Sequence, residues 1–153
     1  MFIHDTKIRV RYGEVDRMGF LFHSHYVVYY DSARSQMLRD MGLPYTTVEE
    51  VDKVMMPVLN LDIRYIKPAY YDDVVTVRTF LREMPTARIR FDFEVYRGEP
   101  GDGDLINTAQ ITIGFMSSVT KRACRVPESI AGLVRDHFAN SPQKEVRIET
   151  RMF

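Results

Sequence analysis

The sequence of 153 residues has a single cysteine, no net charge and no long uncharged apolar run. One thiol, Cys124, excludes a disulfide within the chain and is typical of proteins in reducing compartments. The 21 lysines and arginines balance the 21 aspartates and glutamates, so no overall positive field attracts nucleic acid or anionic lipid. We therefore expect no nucleic-acid partner. Since no segment resembles a secretion signal or a bilayer-crossing stretch, we also expect no membrane span and a cytoplasmic location.

The chain also lacks internal repeats, low-complexity segments and linkers that would divide it. A hydrophobic share of 45% is enough for a folded core and excludes a disordered chain. We therefore expect one domain over residues 1–153. Its 141–153 segment shows no clear period and receives no predicted structure.

A long helix is predicted over Tyr26 to Met41, where apolar residues recur three and four positions apart. Gly42 and Pro44 are the signals that end it. Its buried face is predicted to consist of Tyr26, Tyr30, Ala33, Met37 and Met41. A final short helix is predicted to begin at residues 127–130.

Alternation with a period of two, typical of strands with one buried face, covers most of the chain from residue 61 to 118. It predicts strands at about 61–65, 75–82, 88–95 and 107–115, with a short first strand at 8–12. Tyr65 is predicted to face the core, and Thr76 and Phe80 to face away from it. Because short turns favour antiparallel pairing, we predict an α+β domain with one helix packed on a curled sheet.

Residues 12–26 combine titratable side chains with two glycines at the predicted strand-to-helix junction. Backbone N–H groups at a helix N-terminus lack partners within the helix and can stabilise an oxyanion. A carboxylate such as that of Asp16 can act as a nucleophile or as a base toward water. On an extended backbone, Glu14 and Asp16 would share a face.

Simpler interpretations compete with these catalytic ones. An aspartate near a glycine is commonly a turn former, and Tyr12 at a strand end can serve packing alone. Ser24 is a candidate helix N-cap, since no G-x-S-x-G pattern makes it a nucleophile. His23 and His25 form an H-x-H pair that can bind a metal, but no third ligand motif accompanies it.

The same segment resembles the opening pattern of the hotdog-fold acyl-CoA thioesterases, Y-x-(D/E)-x-D-x-x-G, three hydrophobic residues, then H-x-N-Y. The runs Tyr30–Arg34 and Ile63–Val75 are similar to two further family blocks. The resemblance is to the 4-hydroxybenzoyl-CoA thioesterase type and its relatives associated with the Tol–Pal system, over about residues 8–127. It implies a curled antiparallel five-stranded sheet wrapped around one long central helix. His25 replaces the usual asparagine, and Glu14-Val15 stands where many relatives have Asp-Thr, so the acyl preference stays open.

The resemblance implies an acyl-CoA thioester hydrolase without a metal or a cofactor beyond the CoA of its substrate. Asp16 matches the catalytic carboxylate, as nucleophile or general base, and the His23 N–H would polarise the thioester carbonyl. Tyr12 matches a tyrosine that acts with them. The expected substrate-binding residues are Gly19, His25, Tyr26, Arg88 and Arg90, with Lys121 and Arg122 as further candidates for CoA phosphates.

Family members are dimers or tetramers with active sites between subunits. A homodimer or homotetramer is therefore expected, and Tyr71 and Asp72 are candidates for residues that a neighbouring subunit lends to the pocket. Two alternatives remain open: a non-catalytic hotdog protein that binds an acyl thioester or a protein partner, and a metal-dependent hydrolase built on His23 and His25.

Overall fold

The computed structural model describes residues 1–140 and 146–152, and its main feature is a sheet packed against one long helix. Residues 141–145 and 153, part of the segment without a predicted structure, lie outside the described residues. In chain order the elements are β1 (Phe2–Arg9), a 3-10 turn (Tyr12–Glu14), α1 (His25–Asp40), α2 (Tyr45–Glu50), β2 (Val54–Met55), β3 (Val58–Tyr65), β4 (Val74–Leu81), β5 (Arg88–Arg97), β6 (Asp104–Gly114), β7 (Met116–Ser117), α3 (Glu128–Asn140) and β8 (Val146–Met152).

The main sheet has the strand order β3-β6-β5-β4-β1-β8. In this order, the five strands from β3 to β1 pair antiparallel, which confirms the predicted α+β class and five-stranded antiparallel sheet. The tail strand β8 adds a sixth member, parallel to β1. A parallel neighbour needs a crossover connection, and α3 lies in the segment that leads to β8. β2 and β7 form a separate two-stranded ribbon.

The long helix α1 confirms the sequence prediction within one residue at each end. All five residues of its predicted apolar face are buried in the core. The ring of Tyr30 stacks on that of Phe93 in β5, with centroids 4.9 Å apart, which fixes the helix against the sheet. Gly42 ends the helix with a φ of 104°, a backbone conformation that glycine adopts without a steric penalty.

Strands β5 and β6 also follow their predicted alternation, since the inner side chains of both are buried. The prediction for β4 is wrong on its outer face, where Thr76 and Phe80 are buried as well. The Thr76 hydroxyl donates to the Gly98 carbonyl at 2.8 Å, and the Arg82 guanidinium covers the Phe80 ring at 4.4 Å. Neighbouring loops and long side chains therefore cover a face that periodicity assigns to solvent.

The first strand lies earlier than predicted, at Phe2–Arg9 rather than 8–12, and seven of its eight residues are buried. Its polar side chains are paired rather than solvated: the guanidinium of Arg78 donates to Asp5 at 2.8 and 2.9 Å, and His4 Nε2 lies 2.9 Å from Asp40 Oδ2. A strand buried on both faces with paired polar residues has no alternation to detect, which explains the misplacement.

Strand β3 is an edge strand, and this corrects the prediction that Tyr65 faces the core. Leu61 and Ile63 pack partly against the core, but the Tyr65 side chain at the strand end is 49% exposed. The predicted final helix is confirmed as α3, whereas the six-residue α2 was not predicted. Within the described residues, no helix is both long and apolar enough to cross a membrane.

Candidate functional site

The segment between β1 and α1 folds back on itself as a tight turn. Val15 and Leu21 form an isolated antiparallel bridge, and the Asp16 N–H donates to the Phe20 carbonyl at 2.9 Å. The Gly19 N–H donates to the Asp16 carbonyl at 2.9 Å, with φ at Gly19 of 83°. A side chain at this φ is strained, so Gly19 serves the backbone of the turn that carries Asp16.

The Asp16 carboxylate both stabilises this turn and offers an oxygen for chemistry. Its Oδ1 accepts hydrogen bonds from the backbone N–H groups of Met18 and Phe20, at 2.9 and 3.3 Å. No hydrogen bond reaches Oδ2 from the described part of the chain. The turn-forming role and the catalytic role weighed for this residue are therefore compatible: one oxygen fixes the side chain and the other is available to a substrate.

The turn is attached to the segment that follows β3. The Leu21 N–H donates to the Ala69 carbonyl at 2.8 Å, and Phe20 forms an isolated bridge with Tyr70. The rings of Phe20 and Tyr70 meet edge to face at 5.7 Å. These contacts bring two segments about fifty positions apart in sequence to the same place.

A groove of about 310 Å³ lies between the turn, the start of α1 and the end of β3. Most of its lining is apolar, which is typical of ligand sites of roughly 300–1,000 Å³. The side chains that give it chemical character are those of Asp16, Phe20, His23, Tyr26, Tyr65 and Lys67. The groove thus has one carboxylate and one ammonium group within aromatic and aliphatic walls.

The N-terminus of α1 opens beside this groove. Ser24 occupies the predicted N-cap position but makes no side-chain capping bond. Among the described residues, no acceptor takes the N–H of His23, whereas the His25 N–H donates to the Phe22 carbonyl at 2.9 Å. The Tyr65 hydroxyl donates to the His23 carbonyl at 2.9 Å. The carbonyl of His23 is therefore held by Tyr65, while the N–H of the same residue stays available.

The two tyrosines of the groove keep their phenolic protons at neutral pH. Burial raises the pKa of Tyr26 to about 12, although a backbone hydrogen bond with Ala69 acts in the opposite direction. Burial also raises the pKa of Tyr65. Their rings meet edge to face at 5.5 Å. Both hydroxyls can therefore donate hydrogen bonds, as that of Tyr65 does to the His23 carbonyl.

Several predicted residues lie outside the groove. Tyr12 begins the 3-10 turn, is 79% exposed and packs edge to face on Tyr71 at 5.6 Å. Glu14 ends that turn, where it accepts from the Tyr29 hydroxyl and from the Arg11 N–H at 3.3 Å. The expected shared face of Glu14 and Asp16 is wrong, because the chain is helical rather than extended at residue 14. The ring of His25 lies 6.2 Å from that of Phe22, and His25 does not line the groove.

Arg88 and Arg90 also lie apart from Asp16, in a separate groove of about 280 Å³ where Arg90 pairs with Glu83 at 3.0 Å. A larger groove of about 430 Å³ crosses the outer face of the sheet. Its Arg82 and Asp92 pair with each other at 2.8 Å, so these charges already have partners. Of these three grooves in the described part of the chain, the first contains the predicted carboxylate Asp16.

Sequence reasoning missed Phe20, Tyr65 and Lys67 as site residues. Tyr65 and Lys67 belong to the Tyr65-Ile66-Lys67-Pro68-Ala69 run noted as a family block, and that run was the available signal. Across the described residues, no group of three or more His, Cys, Asp or Glu side chains is placed to hold a metal ion.

Comparison with known proteins relates this geometry to one family. The model of the thioesterase-like superfamily matches residues 10–134. The putative acyl-CoA thioesterase YneP of Bacillus subtilis is 29% identical over 96 residues, 63% of this chain and 69% of that protein. The acyl-CoA thioester hydrolase YbgC of Escherichia coli is 25% identical over 123 residues, 80% of this chain and 89% of that protein. A DHNA-CoA thioesterase structure from Staphylococcus aureus has the same fold, with a TM-score of 0.83, 24% identity, and coverage of 97% of this chain and 99% of that one.

Proposed function

The chain belongs to the thioesterase-like superfamily and is an acyl-CoA thioester hydrolase, and we propose that Asp16 is its catalytic carboxylate. The observation that carries the proposal is the groove in which the Asp16 carboxylate, the start of α1 and the His23 residue lie together. We further propose that the His23 N–H donates to the thioester carbonyl oxygen as negative charge develops on it. In other acyl-transfer enzymes, removal of such a donor lowers kcat by about 10²- to 10³-fold.

Two reaction routes use the same Asp16 oxygen. In the first, Oδ2 attacks the carbonyl carbon, the carbon–sulfur bond breaks, the CoA thiolate leaves, and water hydrolyses the resulting mixed anhydride. In the second, the carboxylate takes a proton from water as the water oxygen attacks the carbonyl carbon; the carbon–sulfur bond then breaks, and the CoA thiolate leaves and takes the proton from Asp16. A single turnover in ¹⁸O-labelled water that leaves ¹⁸O in the Asp16 side chain establishes the first route, since the second route places the label in the product acid alone.

For the acyl group, we propose a small aromatic acid of the 4-hydroxybenzoyl type. Support comes from the aromatic walls formed by Phe20, Tyr26 and Tyr65, which suit a flat ring, and from the small volume of the groove. The sequence pattern is the support for placing the chain in the branch associated with the Tol–Pal system. Because the groove is small for a complete CoA thioester, most of the CoA would lie across the protein surface.

A homodimer or homotetramer is proposed because large apolar side chains are exposed around the groove and along the edge of β3. These include Met18, Tyr70, Tyr71, Val58 and Leu59. Within the described residues, β3 is hydrogen-bonded to a neighbour on one side only, so a second copy can continue the sheet there. In such an assembly a second subunit would bring Tyr12, Tyr71, Asp72, Arg88 or Arg90 toward the substrate. Sedimentation velocity tests the assembly, and a monomer at assay concentration would contradict it.

We propose that the enzyme works in the cytoplasm without a resident metal or cofactor. A panel of short-chain, long-chain and aromatic acyl-CoA thioesters, with thiol release followed by a chromogenic thiol reagent, tests the function. Turnover of one class, unchanged by chelators, is the expected result. Binding of acyl-CoA without turnover across the whole panel would favour a non-catalytic role. Stoichiometric zinc or iron with loss of turnover after chelation would favour a metal-dependent hydrolase built on His23 and His25.

A further inference from the structure

Lys67 supplies the ammonium group among the side chains that line the groove, and Asp16 supplies the carboxylate. We infer that Lys67 binds an anionic oxygen group of the substrate, a phosphate or a carboxylate, by exchanging its present partner Asp104 for that group. The inference rests on the proposed function, since it takes the groove to hold a thioester.

The position of Lys67 is fixed by its backbone. The N–H groups of Ile66 and Lys67 both donate to the Ile106 carbonyl, at 2.9 and 3.0 Å, and Pro68 restricts the backbone of Lys67, the residue before it. The stem of the lysine therefore starts from a defined point where β3 ends at the groove. Only the flexible four-carbon chain decides which anion its ammonium group contacts.

The present partner of Lys67 is easy to replace. Lys67 Nζ lies 2.9 Å from Asp104 Oδ1, and the two side chains are 55% and 48% exposed. Ion pairs between side chains this exposed contribute little to stability, because water screens them and both side chains lose freedom. The hydrogen bond and charge of Lys67 lower the pKa of Asp104, so both partners are charged at neutral pH.

Asp104 would not lose all cationic neighbours on exchange. Its Oδ2 lies 3.8 Å from Arg97 Nη2, and the Arg97 guanidinium also lies 5.6 Å from the centre of the Tyr70 ring. Tyr70 contacts Phe20 of the groove wall. Arg97 can therefore balance the charge of Asp104 while the ammonium group of Lys67 turns toward a bound anion. Arg88 and Arg90 line a different groove and do not duplicate this role within one chain.

The test uses K67M, which keeps the length of the stem and removes the charge, and K53M as a matched control, since Lys53 is exposed and does not line the groove. We expect KM for the preferred acyl-CoA to rise roughly 2- to 5-fold in K67M, the range for loss of an ion pair made by an exposed side chain, with little change in kcat. D104N frees the ammonium group and is expected to lower KM. K53M should match the wild type.

Substrates with and without phosphates identify the anion. An N-acetylcysteamine thioester of the same acyl group has no phosphate. If K67M raises KM for the CoA thioester alone, the anion is a CoA phosphate. If KM also rises for an N-acetylcysteamine thioester whose acyl group carries a carboxylate, the anion is on the acyl group. Unchanged KM for all anionic substrates, or an equal loss with neutral ones, would overturn the inference.

The inference and the proposed function fail in different ways. An active wild type with an unaffected K67M overturns the role of Lys67 alone. A wild type that hydrolyses no thioester overturns the proposed function, and calorimetric titration of wild type and K67M with CoA then decides whether Lys67 binds a CoA phosphate. Equal affinities in that titration, or none for either protein, would overturn that role.

Discussion

Replacing Gly19 by alanine should damage both the stability of the protein and the position of Asp16. A β-carbon at Gly19 would meet no heavy atom within 4 Å, so a steric clash is not the cause. The cause is the backbone, because φ is 83° and a residue with a β-carbon loses about 1–2 kcal/mol in the left-handed region. For a domain of this size that loss corresponds to a decrease in Tm of about 2–8 °C.

Gly13 supplies a matched control for this substitution. It also has no heavy atom within 4 Å of an added β-carbon, but its φ is not positive. Gly13→Ala should therefore leave Tm unchanged or raise it slightly, since alanine lowers the conformational entropy of the unfolded chain and so stabilises the fold by about 0.4–1 kcal/mol. The Tm of Gly19→Asn should lie between those of Gly19→Ala and Gly13→Ala, because asparagine tolerates the left-handed region better than alanine.

Thermal unfolding followed by circular dichroism measures these differences, and thiol release measures activity. The Asp16 Oδ1 bonds to Met18 and Phe20 span Gly19, so Gly19→Ala should also reduce kcat at temperatures where the protein is folded. Equal Tm values for the alanine variants at positions 13 and 19 would refute the reasoning from backbone conformation. Full activity in a destabilised Gly19→Ala protein would refute the coupling between the turn and the carboxylate.

Three further outcomes are expected. Tyr65→Phe removes the hydrogen bond to the His23 carbonyl. The free energy of unfolding, followed through Tm, should change by no more than about 0.5–1.5 kcal/mol, and steady-state kinetics should show a lower kcat. Phe91→Ala removes a fully buried core ring and should cost about 3–5 kcal/mol in urea unfolding, whereas a loss below 1 kcal/mol would contradict the packing. In K67M the pKa of Asp104, followed by carboxyl NMR, should rise toward its ordinary value. Because this pKa is lowered in the folded wild type, the Lys67–Asp104 interaction is present at neutral pH and is lost as pH falls through the lowered pKa.

The elements that the sequence predicted well have one buried face and one solvent-exposed face. The α1 helix and strands β5 and β6 are of this kind, so their periodicity identified both the element and its buried residues. The prediction was wrong where both faces are covered. In β1 the pairs of Asp5 with Arg78 and of His4 with Asp40 hide the alternation, and these pairings depend on distant segments.

The residues of the candidate site also fall into two groups, those that the sequence predicted and those that it did not. Asp16 and His23 lie in one segment with a family pattern, which singled them out as candidates, and both line the groove. Tyr65 and Lys67 reach the groove only because Leu21 pairs with Ala69 across the molecule, and no local pattern gives that contact. Tyr12, Arg88 and Arg90 do not line the groove within one chain, so the roles that the family resemblance implied for them stay predictions.

The central claim is that Asp16 supplies the carboxylate that attacks the thioester or activates water. Asp16→Asn keeps an oxygen that can accept from Met18 and Phe20, so the turn should persist while the charge is lost. Glu14→Gln is the matched control, since Glu14 also carries a carboxylate two residues away but does not line the groove. The measurement is kcat/KM for the preferred acyl-CoA. A fall of at least about 10²-fold in Asp16→Asn, with near wild-type values in Glu14→Gln, is predicted; an Asp16→Asn protein with wild-type kcat/KM would contradict the account.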